Sequence, residues 1–359
     1  MNSESEILFE VKGRLGCVLL NRPKALNALS TDMCARMNKQ LDLWATDDNI
    51  AAVVVEGAGE KAFCAGGDVR TLAENGPDNS GPAEEFFATE YQMNARIFHF
   101  PKPYISFLDG ITMGGGVGIS VHGSHCIVTE KTMFAMPETG IGLVPDVGGS
   151  YFLPRLPGRL GYYIGLTGAR LRAADCLYTG IGTAFVPTDR LEALKVELAA
   201  AALSSADDVD GIIARFAEDA GEVPLDEFRD LIDAAFGEQT LEYICDHLEA
   251  IDHPWAGETL ATLQRMSPTS LKVTLQQLLQ GAGKAFDDCM RMEYRLVNHL
   301  VTYQSDFFEG IRAVLIDRDN SPKWSPASLR EVCEEDVMKH FEPLGDRELN
   351  LQKFNNPGD

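Results

Sequence analysis

The sequence predicts an α/β fold followed by a helical C-terminal region. Three observations predict it. Short runs of aliphatic and β-branched residues recur between Ile7 and Glu130, each bounded by Gly, Asp or Pro. Patterns with helical spacing lie between them. After Val186 the strand signals stop, and Ala-, Leu- and Glu-rich helical patterns take over. Strands that alternate with helices let a sheet bury both faces, which is the α/β arrangement. With 359 residues and 45% hydrophobic content, the chain can bury one large core or two smaller ones.

The elements follow in order. "ILFEV" and "GCVLL" read as the first two strands. Ser30 and Thr31 can cap a helix over "DMCARMNKQLDLWA". "AAVVVEG" is a third strand, and "ENGPDNSGP" (74–82) has the composition of a mobile loop. A helix runs from about Pro82 to Phe98, and on it Phe86, Glu90, Met93 and Ile97 share one face. A carboxylate on such a stripe is either a buried functional group or a sign that the stripe meets solvent, and spacing leaves the two balanced. "YISFLDG" and "HCIVTE" are further strands. From Asp189 onward the pattern is mostly helical, through "DEFRDLIDAAF", "TSLKVTLQQLLQG" and "RMEYRLVNHLV". Residues 1–190 read as a core and 191–345 as a helical region packed on it. Residues 346–359, ending in "FNNPGD", read as a flexible tail.

Charge and composition exclude several functions. A net charge of -23 offers nothing to neutralise nucleic-acid phosphates or anionic lipid. No run reaches membrane-spanning length. "MNSESEILFE" lacks the pattern of a secretion or transit signal, and eight scattered cysteines without a C-x-x-C pair read as reduced thiols. The expectation is a cytoplasmic protein. Cys64 sits inside a glycine-rich motif, yet a small buried hydrophobe explains it as well. His122 and His125 in "SVHGSHC" have no Cys or carboxylate at ligand spacing, so they read as structural. Dinucleotide, phosphate-loop and nucleophile-elbow motifs are absent from the sequence.

The chemistry lies in three glycine-rich stretches. "MPETGIGLVPDVGGSYFLPRL" (136–156) places Glu138 and Asp146 among Gly, Pro and aliphatic residues. Two carboxylates there are costly to bury unless something uses or satisfies them. "KAFCAGGDV" (61–69) and "GITMGGGVGIS" (110–120) each follow a strand-like run. Glycine there lets a backbone N–H face a ligand, and two N–H groups converging from distant segments can bind a developing oxyanion. Gly115 also stands where a helix would begin. Either stretch alone reads equally as a tight turn.

Together with "LNRPKALNALS" (20–30), these stretches resemble the crotonase superfamily, the enoyl-CoA hydratase/isomerase enzymes. The resemblance implies a crotonase-type spiral of ββα turns that holds a coenzyme A thioester. Its carbonyl would sit between the N–H groups of Gly67 and Gly115. Lys24, Ala25 and Leu26 would lie along the CoA nucleotide, and Ala65, Gly67 and Asp68 along the adenine and pantetheine. CoA would enter as part of the substrate, with no metal or other cofactor.

One departure matters. Hydratases of this family carry two glutamates; one matches Glu138, and the other falls on Gly118, which can move no proton. Asp146 stands where hydratases have a small residue. This pattern, with "SPTSLKVTLQQL", "MEYRL", "FFEGIRAVLIDRDNSPKW" and "EEDVMKHF", is similar to the 3-hydroxyisobutyryl-CoA hydrolase branch. That likeness implies thioester hydrolysis of a short 3-hydroxyacyl-CoA in valine breakdown. Glu138 would be the principal catalytic carboxylate, Asp146 would orient the 3-hydroxyl, and Glu90 would hold that hydroxyl or the water. Two alternatives stay open: a hydratase or isomerase using Glu138 alone, and a non-catalytic acyl-CoA-binding protein. The expected partner is the small acyl-CoA, with a homo-oligomer compatible.

Overall fold

The computed structural model describes residues 5–74, 81–203, 205–301 and 305–354. Among the described residues, nine strands form two sheets. They are β1 (Ile7–Lys12), β2 (Leu15–Leu20), β3 (Ala52–Gly57), β4 (Ala62–Cys64), β5 (Tyr104–Leu108), β6 (Ile111–Met113), β7 (His125–Val128), β8 (Met133–Ala135) and β9 (Ala184–Phe185). The larger sheet has the order β1-β2-β3-β5-β7-β9, antiparallel only at β1–β2; the smaller one is a parallel trio, β4-β6-β8.

The helices of the first half are α1 (Thr31–Thr46), α2 (Val69–Glu74), α3 (Gly81–Phe98), α4 (Gly115–Gly118), α5 (Gly149–Phe152), α6 (Leu160–Thr167) and α7 (Ala173–Thr179). The Ser30 hydroxyl caps α1 by accepting the Met33 N–H at 3.3 Å. Three successive units then repeat one pattern: a strand of the large sheet, a strand of the small sheet, and helix. They are β3-β4-α2/α3, β5-β6-α4 and β7-β8-α5. This is the predicted spiral of ββα turns.

Both faces of the large sheet are covered, as parallel strands require. Val53 and Val55 face the main core with Met33, Met37 and Leu41 of α1. Their neighbours Ala52 and Val54 face the other way, with Ile105, Phe107 and Ile127. That second face is closed by α8 (Leu191–Ala200) and α9 (Ala206–Phe216), through Leu194, Leu198, Ile212 and Ile213.

The remaining helices are α10 (Arg229–Ala235), α11 (Leu241–Ala250), α12 (Pro254–Leu263), α13 (Pro268–Gly281), α14 (Phe286–Val301), α15 (Asp306–Ile311) and α16 (Glu334–Lys339). They continue the main core: Leu271, Leu278, Met290 and Leu296 are buried in one cluster with Phe87, Val117 and Val144. The described part of the expected flexible tail, 346–354, is laid against α3 instead. Gln352 exchanges two hydrogen bonds with Gln92, at 2.6 and 2.9 Å, and Phe354 packs on Phe100 and Arg96. Residues 355–359 lie outside the described residues, as do 75–80 of the expected mobile loop.

Candidate active site

The small sheet sets the site. β4 ends at Cys64 and runs into Gly67; β6 ends at Met113 and runs into Gly115; β8 ends at Ala135 and runs into Glu138. Three parallel neighbours therefore deliver one site residue each beyond their carboxyl ends, where α/β proteins gather ligands. A cavity of about 450 Å³ opens there, lined by Ala65, Gly67, Gly115, Glu90, Glu138 and Asp146 together with apolar side chains. Arg170 is the one cation among the described lining residues.

Gly115 is the first residue of α4, and Gly114 before it has φ +49, a conformation that favours glycine. Among the described residues, neither the Gly67 N–H nor the Gly115 N–H donates to a protein acceptor. Space is as restrictive as conformation. A Cβ on Gly115 would sit 2.4 Å from Glu90 Oε1, and one on Gly67 would sit 2.6 Å from the Phe86 ring. Glu138 Oε1 lies 3.2 Å from where a Gly114 Cβ would be. The carboxyls of Glu90 and Glu138 thus border the Gly114–Gly115 step, at which one of the two free N–H groups lies.

Glu90, Glu138 and Asp146 are all buried. The stripe on α3 turns inward: Phe86, Glu90, Met93 and Ile97 are each buried, which removes the solvated reading of Glu90. Glu90 Oε1 and Glu138 Oε2 have no partner within the protein. Asp146 Oδ2 accepts the Tyr91 hydroxyl at 2.5 Å. Burial pushes Glu90 well above the carboxylate range, and the neighbouring charges of Asp146 and Glu138 push it further. Burial and then Asp146 raise Glu138 in the same way. Asp146 is also lifted by burial, but Tyr91 and a backbone hydrogen bond restrain it at about 6.

Gly118 is a closed position. A Cβ there would meet Asn94 Nδ2 and Val147 Cβ, each at 2.7 Å, so a glutamate has no room. The acid missing from the sequence pattern is replaced by packing.

The segments read as CoA contacts divide. Ala65 and Gly67 line the cavity. Leu26 lies just outside it, its carbonyl accepting the Ala65 N–H at 3.0 Å, and Lys24 and Ala25 are exposed on the adjoining turn. Asp68, like Lys24 and Ala25, is not among the lining residues of this cavity. Its Oδ2 pairs with Arg22 at 3.0 Å and its Oδ1 accepts the Thr71 hydroxyl at 3.0 Å. Partial burial raises this carboxyl, but those two partners outweigh it and hold it below the usual range. The alternatives for Cys64 and the histidines close too. Cys64 is fully buried and its thiol is pushed up to about 12 by burial. His122 Nε2 meets the Val147 carbonyl at 2.6 Å, and His125 Nε2 meets Asp210 at 2.8 Å.

Sequence reasoning missed the residues that hold Asp146. Tyr91 carries its side chain, and Gln277 of α13 donates to the Pro145 carbonyl at 2.6 Å. Val147, next in the chain, has φ +49, a strained conformation for a β-branched residue that costs on the order of 1–3 kcal/mol. Glu293 of α14 was also missed, although the signal used for Glu90 was present. Cys289, Leu296 and Val297 flank it at helical spacing, and all are buried.

The chain is matched over residues 15–341 by the family model "Enoyl-CoA hydratase/isomerase". It is 45% identical to the mitochondrial 3-hydroxyisobutyryl-CoA hydrolase of Rattus norvegicus over 353 residues, covering 97% of this chain and 91% of that one. The mitochondrial 3-hydroxyisobutyryl-CoA hydrolase of Homo sapiens is 44% identical over 355 residues, covering 98% and 92%. A crystal structure of a carnitinyl-CoA dehydratase from Mycobacterium thermoresistibile superposes with a TM-score of 0.91 at 40% identity, covering 97% of this chain and 99% of that one. The two hydrolases are named as mitochondrial, which overturns the cytoplasmic placement. That placement rested on free thiols and N-terminal composition; buried thiols report packing, and neither property distinguishes one reducing compartment from another.

Proposed function

The chain belongs to the enoyl-CoA hydratase/isomerase family, and from that premise we propose that it hydrolyses a short 3-hydroxyacyl-CoA thioester, 3-hydroxyisobutyryl-CoA above all. The product pair is the 3-hydroxy acid and free CoA, a step suited to valine breakdown. One observation carries the reading: Glu90, Glu138 and Asp146 line a single cavity with Gly67 and Gly115, while position 118 is walled off.

The thioester carbonyl is held by the N–H groups of Gly67 and Gly115. As the acyl carbon is attacked, charge grows on its oxygen and those donors bind it more strongly. Glu138 in its charged form takes a proton from water as the new C–O bond forms. The C–S bond breaks, and the proton passes to the CoA sulfur. Direct attack by Glu138, giving a mixed anhydride that water then opens, uses the same atoms. Asp146 binds the 3-hydroxyl through the oxygen that Tyr91 leaves free, and Glu90 holds that hydroxyl or the water. Lys24, Ala25, Leu26, Ala65, Gly67 and Asp68 form the track for the CoA. No cofactor beyond the substrate's own CoA takes part.

Hydration is the competing reading, favoured by the name of the dehydratase that shares this fold. It needs an acid and a base across the alkene. Gly118, faced by Asn94 and Val147, argues against a second group at the expected place. The test compares thiol release from 3-hydroxyisobutyryl-CoA with hydration of crotonyl-CoA. Release should dominate; strong hydration with negligible release would replace this reading with the other. One turnover in ¹⁸O-water separates the two routes: label entering Glu138 marks the anhydride.

A further inference from the structure

Glu293 takes no part in the chemistry just proposed, yet it is fully buried and its carboxylate is saturated with donors. Oε2 accepts the Gly148 N–H at 2.7 Å; Oε1 accepts the Ser150 N–H at 2.8 Å and the Ser150 hydroxyl at 2.5 Å. These donors belong to the turn that begins at Asp146. Within that turn Val147 and Gly148 both have positive φ, +49 and +88, and the Gly149 N–H closes back on the Asp146 carbonyl at 2.8 Å. His122 takes the Val147 carbonyl at 2.6 Å from the far side. The residue after Glu293 acts on the same acid. Tyr294 packs its ring edge-on against Tyr91, with centroids 6.2 Å apart, and Tyr91 donates to Asp146.

Two consecutive residues of α14 thus grip the backbone that follows Asp146 and the ring that holds its side chain. We propose that Glu293 is a positioning residue: by clamping the 146–150 turn it fixes the Asp146 carboxyl against the substrate hydroxyl. This rests on the hydrolytic reading above. Without the carboxylate, the Gly148 and Ser150 N–H groups lose their acceptor, and only the His122 contact and the Gly149–Asp146 turn bond remain to hold Val147 in its left-handed conformation against relaxation. The Asp146 peptide then turns, and its carboxyl leaves the position that Tyr91 and the cavity define. The helical C-terminal region is on this view part of the catalytic machinery.

The test is a double-mutant cycle on thiol release at pH 9, above the value of about 8 to which burial raises Glu293, read at single turnover with enzyme in excess so that slow variants are measured. Glu293→Gln keeps the side-chain shape but sets an amide N–H₂ against a backbone N–H. It should lower the rate of the chemical step about a hundred-fold, the scale of an ångström-sized misplacement, with KM changed by no more than about two-fold. In an Asp146→Asn background the same substitution should cost no more than about two-fold, because the group it serves is already gone. Ser150→Ala, which deletes one donor and spares the fold, should repeat the pattern with a loss on the order of five-fold. It decides the matter alone if Glu293→Gln does not fold. Losses that multiply fully in both backgrounds, or a raised KM with an unchanged rate, overturn the positioning role. Absence of thiol release by the unaltered protein overturns the hydrolytic reading and this inference together, whereas release with a multiplicative cycle overturns this inference only.

Discussion

Tyr91 illustrates how much one hydroxyl controls at the scale of the residue. It occupies Oδ2 of Asp146 and helps to hold at about 6 a carboxyl that burial lifts. Tyr91→Phe removes the restraint, so the Asp146 pKa moves further up and the acid limb of the kcat/KM profile moves with it. Activity at pH 6 should fall more than at pH 8, with a loss of about ten-fold near neutrality, the worth of one hydrogen bond to a charged group. An acid limb that stays in place would remove Tyr91 from the proton balance. Gly118→Glu tests the wall at that position. The added side chain collides with Asn94 and Val147, and overpacking of this kind costs about 1–3 kcal/mol. The variant should melt at a lower temperature and gain no crotonyl-CoA hydration. Gained hydration would mean that the position is open to an acid after all. Glu138 and Asp146 were legible in the sequence because carboxylates among Gly, Pro and aliphatic residues stand out. Glu293 carries the same mark on α14, but its partners are backbone N–H groups, and no side-chain pattern announces those.

At the scale of the element, the five longer strands β1, β2, β3, β5 and β7 could be read from their aliphatic runs, and the small sheet could not. β4, β6 and β8 have three residues each, too few for any period, and their identity comes from parallel pairing with each other. They are nonetheless the elements that bring Gly67, Gly115 and Glu138 together. The turn that carries Glu138 is held from the C-terminal side. The Ser267 N–H donates to the Thr139 carbonyl at 3.1 Å, and a Cβ on Gly310 of α15 would lie 2.4 Å from the Ile141 carbonyl carbon. Backbone meets backbone there, so no side chain can yield. Gly310→Ala should push α15 off this turn together with Val314 and Leu315, which line the cavity beyond it. The expected result is a lowered melting temperature and a KM raised by about ten-fold, the worth of roughly 1.4 kcal/mol of binding. Unchanged KM would show that α15 and the segment after it do not shape the substrate pocket.

At the scale of the whole molecule, the buried acids make stability depend on pH. Burial, partly offset by its hydrogen bonds, raises Glu293 to about 8, while Glu90 and Glu138 stand well above their usual range. Unfolded, all three titrate near 4. Above about pH 4 the folded chain therefore holds more protons than the unfolded one, and stability falls with rising pH until those protons leave as well. His122, lowered to about 4 by burial, acts in the opposite sense, but only below about pH 6.5, where the unfolded imidazole takes up its proton. Between roughly pH 6.5 and 8 only the acids operate, each costing at most about 1.4 kcal/mol per pH unit. Thermal melting should therefore drop across that window, and Glu293→Gln should flatten the drop. A melting temperature that rises from pH 6.5 to 8 would contradict the buried-acid picture.

Taken by itself, the sequence determined the alternation of strand and helix, the shared face of Phe86, Glu90, Met93 and Ile97 on α3, and the presence of acids beside glycine-rich turns. These are local properties, set by periodicity, backbone freedom and the cost of burying charge. Only the tertiary structure decided that Glu90 is dry, that position 118 is filled by Asn94 and Val147, and that Asp68 answers to Arg22. It also decided that a helix some 150 residues downstream grips the turn behind Asp146, Gly148 and Glu293 being 145 positions apart. Contacts of that kind join backbone and side-chain atoms across the chain, and their geometry exists only once the sheets and helices have packed.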